Sequence, residues 1–492
     1  MNDGDEEHDA QVRAVVSRLF GRDAVYMTAW AAQIVVTTLF TPIMTRLMVP
    51  AEYGRAMVAQ TLLELLSGIL QFGLYTGVQR AYARAGDAAA RRVVTLACGL
   101  AVVGGVVIYA TGDLWGQAIG SGGFSTPIKY SVIWATLTAL TLPALGLIRS
   151  RDQVRWYVAT TFAQSVFAQA LAVAFVVSQG RTASEYVLGE IVGQIVAAGV
   201  ALAVARPLIF SRADRALLTE IFKFSVALVP AAIAAFVGSL SDRLLVHGLL
   251  GATALARYSL ASNIGGFGAS LIGVMSTVWS GRLFAVRDAR ARLRVVGASR
   301  DGLCELASGY TVAVVAASPI LLRIWSPPSY NPDGLMLVTV LVALTAIPAA
   351  GVVTCEQAVI ASGRTNVIAV VTVLGATLNV LLNLLLIPRL GIDGSALASL
   401  IQVSCSALVF HGLLGKDRPP LRVSTRGVIV CAAAVSLGST LLGSHGPILG
   451  LRLVLMLIAL GFCSLRLLSL AAPDRYDALR SSLAGRARRG GR

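Results

Sequence analysis

The chain has 492 residues, 56% hydrophobic and 13% charged, with a formal net charge of +16 and a mean hydropathy of +0.75. Soluble domains carry roughly 25% charged residues, so this composition excludes an ordinary soluble enzyme or binding module. The six cysteines, none paired at metal or redox spacing, and the four scattered histidines point to neither a disulfide framework nor a zinc site.

The chain opens with Asp3, Asp5, Glu6, Glu7 and Asp9, the wrong charge for the start of a signal peptide, and residues 1–23 are expected to form a disordered cytoplasmic tail. Apolar segments of about 20 residues, enough to cross roughly 30 Å of hydrocarbon, then follow one another. Predicted spans cover residues 24–45, 55–78, 93–112, 128–148, 156–178, 184–205, 221–241, 256–280, 303–325, 335–361, 365–387, 392–412, 425–443 and 447–470. They predict an all-α integral membrane protein of about 14 transmembrane helices.

Most of the 41 Lys and Arg residues fall in the tails and in every second loop. Among these clusters are Arg80 to Arg92, Arg149 to Arg155, Arg282 to Arg300, and Arg475 to Arg492. By the positive-inside rule both termini are cytoplasmic, and the high charge reflects orientation and contact with anionic lipids rather than nucleic acid, which is not an expected partner.

A weak internal repeat runs through the chain. Thr45-Arg46-Leu47 recurs as Asp242-Arg243-Leu244, and Arg55, Arg80 and Arg92 recur as Arg257, Arg282 and Arg294 at a constant spacing of 202. Each half holds six spans, so the second half enters the membrane in the same orientation and the pseudo-twofold is parallel. The expected organisation is an N-terminal six-helix lobe at 24–205, a cytoplasmic linker at 206–220, a C-terminal six-helix lobe at 221–412, two extra helices (13 and 14) at 413–470 and a basic cytoplasmic tail at 471–492. Pro42, Pro143, Pro230, Pro319 and Pro348 lie inside or at the ends of spans, each either a hinge or a tolerated kink.

Four strings stand out in order: FTPIMTRLMVPAEYGR, GLYTGVQRAYAR, GSLSDRLLVHGLLGATALARYSLAS and ASGRTNVIAVVTVLGATLNVLLNLLLIPRLGIDGSALASL. With them, residues 24 to 412 resemble the Wzx-type polysaccharide flippases, members of the multidrug/oligosaccharidyl-lipid/polysaccharide (MOP) flippase superfamily. Ala81 stands where that family often has an aromatic residue, and Ala256 where it usually has glycine.

The resemblance implies a non-enzymatic flippase in the cytoplasmic membrane of a bacterium, moving a polyprenyl-diphosphate-linked oligosaccharide outward by alternating access of two lobes about a central cavity. Membrane lipids are expected partners, with glycosyltransferases and a polysaccharide polymerase as further ones, and no cofactor is expected other than a coupling proton or sodium ion, a role open to Glu64. The rival expectations are a small-molecule or drug exporter of the same superfamily and a non-catalytic scaffold for glycan assembly. A membrane glycosyltransferase or polymerase is disfavoured because the longest predicted external loop, around Ser326 to Gly334, is short.

A diphosphate needs fixed cations, and the guanidinium fork suits it. Arg46 and Arg243 end spans 1 and 7 at equivalent points of the halves, so they either line the cavity and attract the headgroup or snorkel to the interface. Glu64 reads as the deepest carboxylate, in the middle of span 2, and is expected to couple ions, to pair with an arginine, or to sit neutral between helices. Glu190, Glu305 and Glu356 read as shallower, meeting water or cytoplasmic arginines. Asn379 and Asn383 share one helix face, offering hydrogen bonds to sugar or, the favoured reading, to a neighbouring helix. Gly265-Gly266-Phe267-Gly268 lies inside span 8 without the context of a nucleotide loop and is read as a close helix contact.

Overall fold

The computed structural model describes residue 36 and residues 38–119, 123–209, 215–226, 229–285, 289–362, 364–415, 419–441 and 447–471. The predicted N-terminal tail, the first part of span 1 and all but the first residue of the basic tail lie outside the described residues. All regular elements among the described residues are helical, the solution that satisfies every backbone group without water. Ten helical stretches among them are long and apolar enough to cross a membrane, and the first, Pro50–Ala110, holds predicted spans 2 and 3 together.

The chain divides into two units, one up to Phe236 and one from Val237. The first contains α1 (38–47), α2 (Pro50–Leu70), α3 (Leu74–Ala110), α4 (Thr126–Ser150) and α5 (Val154–Phe162). A π-helical turn, Ala163–Phe167, leads into α6 (Ala168–Ser178), followed by α7 (Ala183–Ala205) and α8 (Arg215–Val226). The helix α9 (Val229–Leu250) straddles the division.

Small side chains govern packing in the first unit. Gly189 and Gly193, one turn apart on α7, face Ala172 and Ala168 of α6 so closely that a β-carbon on either glycine would fall onto α6 backbone atoms. Close approach of this kind replaces the hydrophobic drive that is missing between helices in lipid. The wide π turn before α6 resets the register with which Ala168 and Ala172 meet α7. Around α3, α4 and α7, a core including Leu74, Val93, Ala144, Leu147 and Ala201 is buried.

Predicted span 2 is not one continuous helix. Between α2 and α3, Phe72 (φ 48°) and Gly73 (φ 67°) take left-handed backbone, a conformation that disfavours a bulky residue by roughly 1–2 kcal/mol. Apolar residues on both sides make the break invisible to hydropathy. A second break, at Gly86 (φ 78°, ψ −172°) inside α3, forms the corner between predicted spans 2 and 3.

The second unit contains α10 (Ala252–Ala285), α11 (Ala289–Trp325), α12 (Met336–Leu344), α13 (Ala346–Ala361), α14 (Thr365–Leu390), α15 (Ile392–Leu413), α16 (Val423–Leu441) and α17 (Pro447–Ala471). Predicted span 10 is split at Thr345 into α12 and α13, three residues before Pro348, which has no N–H to donate to the carbonyl of Leu344. The helix α11 packs against α10, α12, α13, α16 and α17, so the two C-terminal helices belong to this unit's core.

Polar bonds fasten that extra pair. Buried Arg300 of α11 donates to Asp301 Oδ1 at 2.8 and 3.0 Å, and to the carbonyls of Pro419 and Pro420 at 2.9 and 3.0 Å. Glu305, also on α11, accepts from Thr425 Oγ1 at 2.7 Å and pairs with Arg466 of α17 at 2.6 Å. Arg452 of α17 is buried and donates to the Ser439 carbonyl in the last turn of α16 at 2.5 Å, where a cation complements the helix dipole.

Exposure is inverted relative to a soluble protein. Val102, Val103, Val106 and Val107 on α3, with Leu457 and Ile458 on α17, are exposed apolar residues suited to lipid. The exposed pair Arg323–Asp333 (3.1 Å) is a surface contact. Arg323→Ala is expected to change stability by no more than about 1 kcal/mol, read as the unfolding midpoint in detergent.

Candidate functional site

The first unit buries one polar stripe. Tyr186, Glu190 and Gln194 recur at every fourth residue of α7 and so share a face, which folds inward because Gly189 and Gly193 bring α7 against α6. Gln169 Nε2 donates to the Tyr186 hydroxyl at 3.1 Å, and Gln194 Nε2 donates to Thr141 Oγ1 of α4 at 2.8 Å. Glu190 is 2% exposed, one turn from Tyr186 on the same face of α7, and its Oε1 accepts no hydrogen bond among the described residues. The expectation that Glu190 lies shallow and meets water is therefore corrected. The close α6–α7 seam excludes solvent, an effect that depth along a single helix does not reveal.

Glu64, expected to be the deepest acid, is only half-buried on α2, with Gln60 Nε2 at 3.5 Å from its Oε1. Arg46 is exposed, and its guanidinium donates to the carbonyl of Pro42 one turn back at 2.8 Å. These residues are not joined by any described bond to the α7 stripe.

The second unit holds a separate network. Asn379 and Asn383 of α14 are buried, and Asn383 Nδ2 donates to the Asn379 backbone carbonyl at 2.9 Å and to its Oδ1 at 3.0 Å. Ser241 Oγ of α9 donates to that same Oδ1 at 3.3 Å, so the pair links two helices. Beside Ser241, Asp242 accepts from the Tyr258 hydroxyl of α10 at 2.5 Å and from the Arg243 backbone N–H at 2.7 Å. Ser241 and the two asparagines are thus brought together, Arg243 enters the network only through its backbone N–H to Asp242, and half-buried Glu356 on α13 shares no described hydrogen bond with it.

Tyr186, Gln194 and Tyr258 were not among the residues expected at a site. The four-residue spacing of Tyr186, Glu190 and Gln194 was available as a signal, because three polar residues on one face of an apolar span mark an inward face. Tyr258 carried none, as its partner lies on another helix.

A family model described as polysaccharide biosynthesis protein matches residues 43–297, more than half of the chain. The chain belongs to that family. The match spans Arg46, Glu64, Glu190 and Arg243 and stops before Glu356, Asn379 and Asn383. No curated protein matches this family member in sequence.

Its fold is similar to that of the lipid II flippase MurJ in an inward closed conformation, with a TM-score of 0.66 and 11% identity over 91% of this chain and 99% of the other. It is also similar to a multidrug resistance MATE family transporter of the MOP superfamily in an inward-facing conformation, with a TM-score of 0.62 and 13% identity over 81% and 95%. A MOP superfamily transporter from Pyrococcus furiosus shares it with a TM-score of 0.55 and 14% identity over 85% and 96%. This polysaccharide biosynthesis protein is therefore a multi-pass membrane protein with the MOP superfamily fold, which its solved neighbours use as transporters and a flippase rather than as enzymes.

Proposed function

We propose that this protein flips a polyprenyl-diphosphate-linked oligosaccharide from the cytoplasmic to the outer leaflet of a bacterial cytoplasmic membrane, with both termini in the cytoplasm. The observation that carries this reading is the match to a polysaccharide biosynthesis family on a chain with the MOP fold. A glycan assembled on a lipid carrier inside the cell needs a carrier for its polar part, which costs far too much to pass through hydrocarbon unaided. Glycosyltransferases and a polymerase acting on the same glycan are the natural partners.

In this reading Arg46 and Arg243 supply fixed positive charge to the diphosphate. Glu64, Glu190 and Glu356 are the carboxylates available for coupling to a proton or sodium ion, and the burial of Glu190 puts it first among them. The bonds of Asn379 and Asn383 to each other and to Ser241 favour helix packing over sugar contact. A drug exporter is the second reading, supported by the likeness to MATE transporters.

Proteoliposomes loaded with candidate polyprenyl-linked glycans separate the two, with leaflet position read by an externally added glycan-modifying enzyme. Protein-dependent translocation is expected, and a protein that instead moves cationic drugs and leaves the glycans in place is an exporter. Arg46→Ala and Arg243→Ala are each expected to slow translocation roughly tenfold, the loss of one charge-assisted contact. Unchanged rates at equal protein levels would remove both arginines from the headgroup path.

A further inference from the structure

The helix α8 is seated on α3 by shape and by charge. Leu218, Ile221 and Ser225 form its buried face. Gly73 and Gly77 open a notch for it: a β-carbon on Gly73 would lie 2.6 Å from the Ser225 carbonyl oxygen, and one on Gly77 would lie 2.5 Å from Ser225 Oγ and 3.1 Å from Ile221 Cγ2. The left-handed backbone at Phe72 and Gly73, which interrupts predicted span 2, occurs at this contact.

Next to the notch, Arg84 donates to Glu220 Oε1 of α8 at 2.7 Å, and Arg80 donates to the same oxygen at 3.3 Å. The Arg80 guanidinium lies 4.1 Å from the centroid of the Phe224 ring. Its Nε is buried with no hydrogen-bond partner among the described residues. Two guanidinium groups thus divide one carboxylate oxygen, leaving positive charge in excess, with Lys223 on the same helix adding to it. All three ion-pair side chains are partly open to solvent, so a competing anion can reach them.

We propose that Arg80 and Arg84 form a diphosphate-docking site masked by Glu220, and that an arriving diphosphate displaces this carboxylate and loosens α8 from α3. The inference rests on the flippase reading for the identity of the cargo. Two arginine forks offer more parallel N–H donors than one carboxylate oxygen uses, and a diphosphate has the oxygens and charge to fill them. Displaced Glu220 meets water, because it is already half-exposed. The helix so released is the last before α9, the helix in which the chain passes from the first unit to the second.

The test uses full-length protein with its six cysteines replaced and spin labels at Ala85→Cys on α3 and Ala216→Cys on α8. It is reconstituted in phosphatidylcholine nanodiscs alone, with a polyprenyl diphosphate, or with an equal mole fraction of phosphatidylglycerol. Inorganic diphosphate is added to the first set.

Diphosphate in either form is expected to lengthen and broaden the label distance, and phosphatidylglycerol is not. Glu220→Gln is expected to show the longer distance without ligand and to bind inorganic diphosphate roughly threefold more tightly, the scale of one exposed ion pair. Arg80→Lys with Arg84→Lys, which keeps the charge and removes the forks, is expected to weaken binding about tenfold.

A distance that ignores diphosphate, an equal response to phosphatidylglycerol, or unchanged binding by the double lysine variant overturns the proposal. Translocation measured on the same proteins keeps the two readings apart. Glycan movement with an unresponsive α8 defeats only the docking site, and a diphosphate response without glycan movement defeats only the flippase reading.

Discussion

Replacing Gly189 by leucine is expected to prevent α7 from seating on α6 and to remove most of the folded protein from the membrane. A β-carbon there would press on Ala172 Cα and lie 2.6 Å from Ala172 N and 2.8 Å from the Leu171 carbonyl carbon. Those are backbone atoms, so no rotamer change relieves the clash and the helices must part. Overpacking of a tight interior disfavours the fold by about 1–3 kcal/mol, and a clash with backbone belongs at or above the top of that range.

Parting α6 from α7 also opens the polar stripe of Tyr186, Glu190 and Gln194 to water. Fluorescence-detected gel filtration of the solubilised protein checks the result. Gly189→Ala is expected to fall between the native protein and the leucine variant. Gly199→Leu, on the same helix but exposed and with nothing within 4 Å of the point where a β-carbon would stand, is expected to behave as the native protein.

The second large effect is expected at Asp301. Its carboxylate takes two N–H groups of Arg300 and the backbone N–H of Arg422 at 3.2 Å, and only 3% of its side chain is exposed. Asp301→Ala strands a buried guanidinium whose remaining partners among the described residues are the Pro419 and Pro420 carbonyl oxygens and the His411 ring. Removing one member of a buried ion pair destabilises by roughly 3–5 kcal/mol, and a lowered unfolding midpoint in detergent is the expected reading.

Converting both residues to leucine is expected to restore part of the loss, because it removes the uncompensated charge along with its partner. If Asp301→Ala unfolds at the native midpoint, the network does not fasten α16 and α17 to α11. The contrast with the exposed pair Arg323–Asp333 is one of desolvation, since water and ions compete for that pair and not for this one.

Much of the architecture was legible in the amino-acid order. Apolar segments of bilayer length are a local property, and each one satisfies its own backbone, so helix existence needs no knowledge of neighbours. The seam of α7 was equally available, because Gly189 and Gly193 stand four residues apart in GEIVG and small residues at that spacing permit close helix contact. The four strings from Phe40 to Leu400 pointed to the MOP superfamily, whose fold the solved neighbours share.

The ranking of the carboxylates was not readable. Depth along a single span favoured Glu64, yet Glu64 is half-buried and Glu190 is enclosed, because enclosure depends on what packs alongside. The interruption at Phe72 and Gly73 lies inside an apolar run that hydropathy reads as one helix.

What the sequence by itself determined about this protein is its class: an all-helical membrane chain built of apolar segments of bilayer length, its resemblance to the MOP flippases, and the residue types from which a polar site can be built. Only the tertiary structure decided which of those residues meet. Arg80 finds Glu220 across 140 positions, Asp301 finds Arg422 across 121, and Asn379 finds Ser241 across 138. The physical reason is range: hydrophobicity and helix propensity act within a few turns, whereas the partner of a buried charge is chosen by the packing of helices far apart in the chain.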